Sequence, residues 1–368
     1  MDFTPTPGQV DAGALAQQIL GDRCTPERLA QIENSGDRFD RDLWRELGTA
    51  GLIGLSLPEE HGGAGLGLLE LVSVLEQSGK LVAPVPLAVH AVAAMTLATF
   101  GAADVQQRWL PGATTGEVIV TAAVAEDHAA FPDQPATSAS RSGDVWVLTG
   151  AKTAVLAGTE AQLLLVPAST DEGPALFMVE PGDPGVTVVE QQLSGGDRVA
   201  RIDLDGADVT EDRRLGGAEA VSWLTQHLAV ALAAEQTGVC EGALRLTAEY
   251  ARTREQFGRP IGTFQAVSQR LANGYIDVQG LRLTVTQAAW RLAEGLPSEA
   301  EVAIAKLWAT DTGHTIAHTT VHVHGGVGID LDGAAHRYFT SAKRLELALG
   351  GTTLQARALG RVLAAEPV

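Results

Sequence analysis

The sequence predicts a multi-domain α+β protein in which a β-rich segment separates two helical segments. Its 368 residues are more than one small core needs. Apolar residues recur at three- and four-residue spacing towards both ends of the chain, and the middle changes to short β-branched runs. We therefore expect an N-terminal α-helical domain over residues 1–115, a β-domain over residues 116–217 and a C-terminal helix bundle over residues 218–368.

The first segment predicts helices separated by a glycine-rich turn. Apolar positions follow helical spacing through Leu43, Trp44 and Leu47, and again through residues 68–75. Between them, residues 61–67 contain four glycines. No Lys-Ser or Lys-Thr pair follows these glycines and no strand pattern precedes them, so they predict a turn and not a phosphate-binding loop.

The most apolar window of the chain covers residues 81–100 and is about long enough to cross a bilayer. It contains Pro84, Pro86 and His90, it is rich in Ala and Val, and it follows an amphipathic stretch. We interpret this window as a buried helix of a protein that does not enter the membrane.

The middle segment predicts a small all-β domain. Short β-branched and apolar runs alternate with Gly, Pro and Asp, as strands and turns do. The predicted strands cover residues 118–121, 145–148, 163–166, 176–179, 186–189 and 199–204. Residues 126–142, rich in Ala, Pro, Ser and Asp, predict an exposed loop because little apolar surface would order them.

The last segment predicts long helices packed as a bundle. The helical period returns over residues 222–253, 264–294 and 298–323. No strand–helix–strand alternation occurs and no GxGxxG follows a strand, which excludes a doubly wound nucleotide-binding fold.

The charge of the chain restricts its ligands. The formal net charge is −19 with a sequence pI near 4.8, and no Lys/Arg run could neutralise a nucleic-acid backbone. Nucleic-acid binding is therefore excluded, and a phosphate-bearing ligand must be held locally by a few arginines and backbone N–H groups. Cys24 and Cys240 show no metal-ligand spacing, and residues 1–5 show no basic or apolar leader, so we expect a cytoplasmic protein.

One motif near the start of the last segment could bind an anionic, partly aromatic ligand. Arg254 offers a charge, Phe257 offers an apolar plate, and Gly258 with Pro260 predicts a sharp turn into a helix that Gln265 opens. On spacing alone, an ordinary helix–turn–helix whose arginine serves the helix dipole explains the same residues equally well.

A histidine stripe raises a second possibility. His314, His318 and His322 recur every four residues and so share one helix face, with Asp311 one turn earlier. A metal site is one interpretation. Because HxxxH spacing alone is a weak signal and interface histidines are commoner, we expect no metal.

The first motif resembles the signature of the acyl-CoA dehydrogenase family. That signature is an aromatic residue, then Arg-x-x-Phe-Gly-x-Pro-Ile, then Gln, and it matches Tyr250 through Gln265. The resemblance covers nearly the whole chain. It implies a helical domain, a small β-barrel or sandwich and a four-helix bundle, with FAD bound partly by Arg254, Phe257, Gly258 and Gln265.

A second element strengthens the resemblance. Residues 321–328 resemble the family's Gln-x-x-Gly-Gly-x-Gly loop, with His322 in place of the usual Gln. Gly325 and Gly326 would let the backbone approach the dinucleotide closely, and a neutral imidazole can still donate one hydrogen bond. The resemblance thus adds His322, Gly325 and Gly326 to the cofactor contacts. Residues 250–327 further resemble the bacterial sterol (cholesterol) side-chain branch, whose members assemble as heterotetramers of two unlike subunits.

The general base that the resemblance leads one to expect is missing. Desaturation of an acyl-CoA at Cα–Cβ needs a carboxylate to remove the α-proton while hydride passes to the flavin. In the family this Glu directly precedes Gly-Thr-Ser, where this chain has Leu349 or Gly350. The family's alternative Glu position falls at about Leu228. None of these residues can take a proton.

The β-domain lacks the family's flavin-ring contacts as well. Family members carry a Thr-Glu-Pro…Gly-Ser-Asp loop and a Trp-Ile-Thr-Asn turn that wrap the isoalloxazine ring. The corresponding residues here are 121–127 and 152–158, and they differ from both patterns. The residues that are kept are those that reach a neighbouring subunit's dinucleotide.

We therefore expect a subunit of an FAD-dependent acyl-CoA dehydrogenase, inactive alone, that completes the FAD site of an unlike partner. The partner would carry the catalytic Glu and bind most of the acyl-CoA, which the resemblance suggests is a steroid side-chain thioester. One alternative is an autonomous homo-oligomeric dehydrogenase whose base is Glu241, Glu235 or Glu346. Another is a flavin-free scaffold subunit.

Overall fold

The computed structural model describes residues 3–127 and 131–365. The chain divides into two compact units. The first contains Met1–Gly36, Leu68–Pro84 and Leu232–Val368, and the second contains Asp37–Gly67 and Val85–Ala231. Helices precede and follow a central β-sheet along the chain, as predicted. The expected domain boundaries at residues 115 and 217 remain a prediction.

Eleven α-helices are formed by the part of the chain that the structure describes. They are α1 (Pro7–Arg23), α2 (Pro26–Asn34), α3 (Arg41–Thr49), α4 (Leu68–Lys80), α5 (Leu87–Phe100), α6 (Ala103–Thr115), α7 (Ala218–Thr253), α8 (Gln265–Ala293), α9 (Glu299–His324), α10 (Ala335–Leu347) and α11 (Thr352–Ala365). The three long helices predicted in the last segment are confirmed as α7, α8 and α9.

In the first unit, α4 and α7 cross with their backbones in contact. A Cβ added at Gly79 would overlap the carbonyl oxygen of Glu235, and one at Gly238 would overlap that of Glu76. Each helix therefore needs a glycine where the other presents a carbonyl. The spacing of the two helices is fixed by backbone and not by adjustable side chains.

An ion-pair network lies beside this crossing. Glu241 on α7 accepts from Lys80 Nζ at 2.6 Å and from Arg282 Nη2 on α8 at 2.6 Å. Arg282 Nε also donates to Glu76 Oε2 on α4 at 3.2 Å. The four alternating charges join three helices, and each charge has at least one opposite neighbour.

The second unit is built around a β-sheet. Its strands are β1 (Val120–Ala122), β2 (Ser138–Ser142), β3 (Val145–Leu156), β4 (Leu163–Thr170), β5 (Gly173–Val179), β6 (Val186–Gln192), β7 (Arg198–Thr210) and β8 (Arg214–Gly216). The order is β6-β7-β3-β2-β4-β5-β8, with β1 parallel to β4. Helix α5 lies against β1, where buried His90 accepts from Val120 N at 3.2 Å.

All six predicted strands are confirmed, but the prediction of an exposed loop over residues 126–142 is wrong in part, at β2 and at several buried residues. Residues 138–142 form β2, which pairs with β3 in antiparallel register. Phe131 and Thr137 are buried, as is the Glu126 side chain. Residues 128–130 lie outside the described residues. The described part of residues 126–142 is held in place by hydrogen bonds and one ion pair, and a polar composition does not reveal these contacts.

The apolar window at residues 81–100 is a buried helix, as predicted. Helix α5 begins at Leu87, after the two prolines, and ten of its fourteen residues are buried. Within residues 3–127 and 131–365, no helix combines the length and the apolar character needed to span a membrane.

Candidate functional site

Two adjacent helix ends carry the motifs that the sequence singles out. Tyr250, in the last turn of α7, stacks on His324, the last residue of α9, with ring centroids 4.3 Å apart and planes 21° apart. One turn earlier in each helix, the Thr247 and Thr320 hydroxyls lie 3.1 Å apart. The segments that follow α7 and α9 therefore leave the bundle side by side.

The segment after α7 is a tight β-hairpin. Strand β9 (Glu255–Gln256) pairs with β10 (Arg259–Pro260) through a two-residue turn at Phe257 and Gly258. Both turn residues have left-handed backbones, with φ of 54° and 75°. A sharp turn was predicted at Gly258 and Pro260. Gly258 lies in the turn, whereas Pro260 lies in the second strand.

Phe257 is held where it contacts almost nothing of its own chain. Its side chain is 92% exposed, and its left-handed backbone costs about 1–2 kcal/mol for a residue with a Cβ. Its ring meets Phe264 edge-on at 6.2 Å, and the Arg259 guanidinium covers Phe264 at 4.3 Å. Phe264 and Arg259 thus support the hairpin from one side and leave the Phe257 face open.

Arg254 and Gln265 lie at the two ends of this hairpin. The Arg254 backbone is fixed, since its N–H donates to Tyr250 O at 2.8 Å and its carbonyl accepts from Ile261 N at 2.8 Å. Its side chain is exposed and pairs with no carboxylate among residues 3–127 and 131–365. Gln265 is the first residue of α8, as predicted, and is also exposed. Both side chains can therefore reach a ligand.

The segment after α9 is a short 3₁₀ turn over Gly325–Ile329. Gly325 has φ 64° and ψ −140°, a conformation that only glycine adopts readily. A Cβ at Gly326 would meet no atom within 4 Å, so the described chain leaves space over this residue. His322 is exposed on the last turn of α9. We refer to the Arg254–Pro260 hairpin and this Gly325–Ile329 loop together as the bundle-end site.

The histidine stripe makes ordinary polar contacts. His314 and His318 lie with ring centroids 4.4 Å apart, and His314 Nδ1 lies 3.2 Å from both Glu346 Oε1 and Lys343 Nζ. Within the described ranges, no group of three or more His, Cys, Asp or Glu side chains is arranged to hold a metal ion.

The turn between α10 and α11 contains the two residues expected at the position of the family's base. Leu349 has φ 59°, and its carbonyl accepts from Gln355 Nε2 at 2.7 Å. Gly350 has φ 90°, and a Cβ there would overlap Leu354. At the other position, Leu228 is buried in α7. None of these side chains is an acid.

The acids that an autonomous enzyme would need are each bound to cations. Glu235 accepts from Arg344 Nη2 at 2.8 Å, and Glu346 accepts from Lys343 Nζ at 2.6 Å. Burial would raise the pKa of Glu241, but Lys80 and Arg282 outweigh it and hold the pKa below its usual range. A carboxylate whose charged form is stabilised in this way is a weak proton acceptor.

In the second unit, the two segments expected to correspond to the flavin-ring contacts bond to each other. Thr121 Oγ1 donates to Leu156 O at 2.6 Å, and Thr153 N donates to Ala125 O at 2.9 Å. The Thr121 hydroxyl therefore has an internal partner.

A buried ion pair that the sequence pattern did not predict joins the same two segments. Lys152 Nζ donates to Glu126 Oε1 at 2.5 Å and to Pro167 O at 2.6 Å, with both side chains almost fully buried. Glu126 Oε1 also accepts from Thr137 N at 2.9 Å. Burial lowers the pKa of Lys152 to about 8 although Glu126 opposes it. A lysine within an otherwise apolar strand is the signal that could have revealed the pair.

The fold is that of the acyl-CoA dehydrogenases. Residues 7–117 match the N-terminal domain of acyl-CoA dehydrogenase, and residues 216–364 match the C-terminal domain. Acyl-CoA dehydrogenase FadE27 of Mycobacterium tuberculosis is 48% identical over the whole of both chains. The chain belongs to the acyl-CoA dehydrogenase family of flavoprotein oxidoreductases.

Two solved structures are similar over nearly the full length. The ChsE4–ChsE5 complex from Mycobacterium tuberculosis contains a chain of 48% identity that superposes with a TM-score of 0.96, each chain covered completely. A variant of the Tcur3481–Tcur3483 steroid acyl-CoA dehydrogenase shows 40% identity and a TM-score of 0.92, covering 97% of this chain and 98% of the other. The chain is thus related to steroid acyl-CoA dehydrogenases.

Proposed function

We propose that this chain is the non-catalytic subunit of a heteromeric, FAD-dependent acyl-CoA dehydrogenase and that its bundle-end site completes the FAD site of an unlike subunit. The observation that carries this proposal is the contrast between two sets of residues. The side chains of Arg254, Phe257 and Gln265 are exposed, whereas the positions expected for the base hold leucine and glycine.

The residues of the bundle-end site suit one part of FAD. An exposed arginine with a fixed backbone can form charge-assisted bonds to a pyrophosphate. Gln265 can hydrogen-bond to the same ligand, Phe257 offers an apolar face, and the open space over Gly326 allows close backbone approach. The residues present therefore fit the dinucleotide portion.

The second unit fits the flavin ring poorly. The Thr121 hydroxyl and the Lys152 ammonium already have partners inside the unit. Ala154 and Ala157, both with positive φ, present only methyl groups where the family carries polar and aromatic residues. We infer that the ring is surrounded by the partner.

The chemical step requires a base from the partner. FAD, when bound, supplies the hydride acceptor for Cα–Cβ desaturation. This chain's part is to bind and orient: Arg254 neutralises phosphate charge and the hairpin holds Phe257 in place. Since Leu349, Gly350 and Leu228 cannot accept the α-proton, a carboxylate of the unlike subunit must do so.

The relatives support a proposal for the assembly and the substrate class. The ChsE4–ChsE5 structure is a complex, and the Tcur3481–Tcur3483 protein is named a steroid enzyme. The first supports an assembly of unlike subunits, for which we propose a heterotetramer. The second supports a steroid substrate, for which we propose a steroid (cholesterol) side-chain CoA thioester bound mainly by the partner. An autonomous enzyme is disfavoured because Glu241, Glu235 and Glu346 are ion-paired. A flavin-free scaffold would leave the displayed Arg254 unexplained.

Flavin content tests the proposal. The chain expressed alone should purify with little FAD and reduce no dye in the presence of an acyl-CoA, whereas coexpression with the unlike subunit should give a yellow, active complex. Absorbance at flavin wavelengths and a dye-reduction assay measure both properties. A yellow, active homo-oligomer would contradict the proposal.

A further inference from the structure

Lysine is scarce in this chain. Lys and Arg together number 26, and only four of these residues are lysines, at positions 80, 152, 306 and 343. Arginine stays protonated, whereas a lysine that loses its proton is a nucleophilic amine. A member of the acyl-CoA dehydrogenase family meets acyl-CoA thioesters, whose carbonyl carbon reacts with such amines. The surroundings of these four ammonium groups therefore decide where lysine acylation can occur.

Two of the four lysines are out of reach of a thioester. Lys152 and Lys306 are almost fully buried. Lys152 Nζ donates to Glu126 and to the Pro167 carbonyl oxygen. Lys306 Nζ donates to the Leu345 carbonyl oxygen. Burial lowers the pKa of the two amines to about 8 and about 7, so lack of access, and not protonation, keeps them from reacting.

Lys80 is partly accessible but is held as an ammonium. Its side chain is 19% exposed, and its Nζ lies 2.6 Å from Glu241 Oε1. Burial would raise the pKa of Glu241, but Lys80 and Arg282 hold it below its usual range. Glu241 is therefore a poor acceptor for the Lys80 proton, and the amine stays charged.

Lys343 differs from the other three lysines because an imidazole lies beside it. Its side chain, on α10, is 28% exposed, and its Nζ lies 3.2 Å from Nδ1 of His314 on α9. The His314 side chain is 52% exposed, so solvent reaches both groups. In the tautomer protonated at Nε2, His314 Nδ1 can accept a proton from the Lys343 ammonium.

The charges around Lys343 act in two directions. Glu346 Oε2 lies 2.6 Å from Lys343 Nζ and favours the ammonium. The rings of His314 and His318 lie 4.4 Å apart. Burial lowers the pKa of His318, and the positive charges of His314 and Lys343 lower it further, although Glu346 opposes them. Three cationic groups thus share one carboxylate, and their repulsion assists the loss of a proton from the cluster.

We propose that Lys343 is a site of acylation by acyl-CoA thioesters and that His314 accepts the proton that the Lys343 ammonium loses. The neutral amine attacks the thioester carbonyl carbon, so that a C–N bond forms and the C–S bond breaks. The second amine proton ends on the departing sulfur, which leaves as CoA thiol, and His314 returns the first proton to water. The products are an amide on Lys343 and free CoA.

Acetylation of the coexpressed complex tests this site. The complex is incubated with acetyl-CoA at mildly alkaline pH and digested with a protease that does not cut at lysine, and mass spectrometry gives the rate of acetylation at each lysine. Lys343 should be acetylated about tenfold faster than Lys80 or more, because only Lys343 has a placed proton acceptor. Lys152 and Lys306 should stay unmodified. In the urea-unfolded chain the four rates should become similar.

Variants of the cluster test the role of His314. His314→Asn should lower the Lys343 rate about a hundredfold and leave the Lys80 rate unchanged. Glu346→Gln should raise the Lys343 rate, because the carboxylate favours the ammonium. His336→Asn is the matched control, since His336 also lies on α10 and its Nδ1 lies 3.1 Å from the Asp330 carbonyl oxygen.

Several results would overturn the proposal. Lys343 could remain unmodified in the folded complex, or Lys80 could react as fast as Lys343. Equal Lys343 rates in His314→Asn and His336→Asn would remove His314 from the reaction. An excess of acetylation at Lys343 that persists after unfolding would show that the fold does not create the site. These measurements hold whichever subunit carries the base, because acetyl-CoA is added and no turnover is measured.

Discussion

Lys306 Nζ donates to the carbonyl oxygen of Leu345 at 2.8 Å, in a position that solvent does not reach. The bond holds the last turn of α10 just before Leu349, so a buried ammonium supports the turn in which the family's base is expected. Burial lowers the pKa of Lys306 from 10.5 to about 7, although the charge of Glu346 opposes it.

This burial makes the stability of the fold depend on pH. Below pH 7 the lysine is protonated in both the folded and the unfolded chain, and the folded chain bears the full cost of a buried charge. Between pH 7 and 10.5 the unfolded chain binds more protons, so the free energy of unfolding rises with pH, by at most about 1.4 kcal/mol per pH unit. Above pH 8, Lys152 should contribute in the same direction.

We predict that Lys306→Met flattens the rise in free energy of unfolding between pH 7 and 8. Chemical denaturation at closely spaced pH values measures the slope. Lys343→Met, which removes a partly exposed lysine of α10, serves as the control and should keep the slope. An unchanged slope in Lys306→Met would show that the ammonium is not desolvated.

Restoring a carboxylate at the base position should not restore activity. We predict that Leu349→Glu folds and reduces no dye when the chain is expressed alone, because the second unit still lacks flavin-ring contacts. Gly350→Glu should also be inactive and lose about 1–3 kcal/mol of stability, since its Cβ would overlap Leu354 at φ 90°. Turnover by either variant would refute the assignment of a silent subunit.

Arg254→Ala should lower the FAD affinity of the assembled complex. A charge-assisted contact to pyrophosphate is worth about 1.5–3 kcal/mol, or roughly a ten- to hundredfold change in affinity. Arg254→Lys should recover only part of the lost FAD affinity, because an ammonium cannot form the bidentate contact that a guanidinium forms with pyrophosphate. Fluorescence titration of the apo-complex with FAD measures the change.

Arg252→Ala is the matched control, because Arg252 lies on the same helix end and pairs with Glu249 at 2.7 Å. We expect it to bind FAD normally. Equal FAD affinity in Arg254→Ala and Arg252→Ala would remove Arg254 from the cofactor site.

Glu241→Gln separates the proposed subunit from an autonomous enzyme. The side chain binds Lys80 and Arg282, so its loss should cost about 1–2 kcal/mol of stability and leave the turnover of the complex unchanged. Thermal melts and dye reduction measure both. If Glu241→Gln abolishes turnover while Arg254→Ala keeps its flavin and its rate, this chain carries the catalytic base. The assignment of the catalytic and non-catalytic subunits must then be reversed.

Tyr250→Leu should loosen both halves of the bundle-end site. We expect a loss of about 1 kcal/mol from the stack and a lower FAD content. Burial lowers the pKa of His324, although its bond to Thr320 O opposes this. Removing the ring admits water, so an NMR titration should give a higher His324 pKa in the variant. Tyr275→Leu, on the exposed face of α8, should leave the His324 pKa unchanged.

The helices and strands that are encoded by local residue patterns could be predicted from the sequence. Helical spacing located α7, α8 and α9 to within a few residues, and β-branched runs located six strands. Residues 250–265 predicted a turn at Gly258 and a helix that begins at Gln265, because turns and helix starts have local signatures. Phe257 was not placed in this turn, since it adopts a left-handed backbone that is unusual for an aromatic residue.

Long-range order was not predictable in the same way. Strand β2 has a polar sequence, and its order comes from pairing with β3 and from the Glu126–Lys152 ion pair, which joins residues from separate segments. The stack of Tyr250 on His324 likewise joins two distant helix ends. No composition or period contains such information, because it depends on which segments meet after folding.

The crossing of α4 and α7 has a consequence for folding during synthesis on the ribosome. Gly79 leaves the ribosome about 150 residues before Glu235, which at about 5–20 residues per second is a delay of roughly 8–30 seconds. Until then α4 can pack only on α1, which is synthesised earlier, and the side of α4 that crosses α7 at Gly79 stays uncovered. Nascent chains stalled before residue 232 should accordingly be cut by protease within residues 68–84, and completed chains should resist.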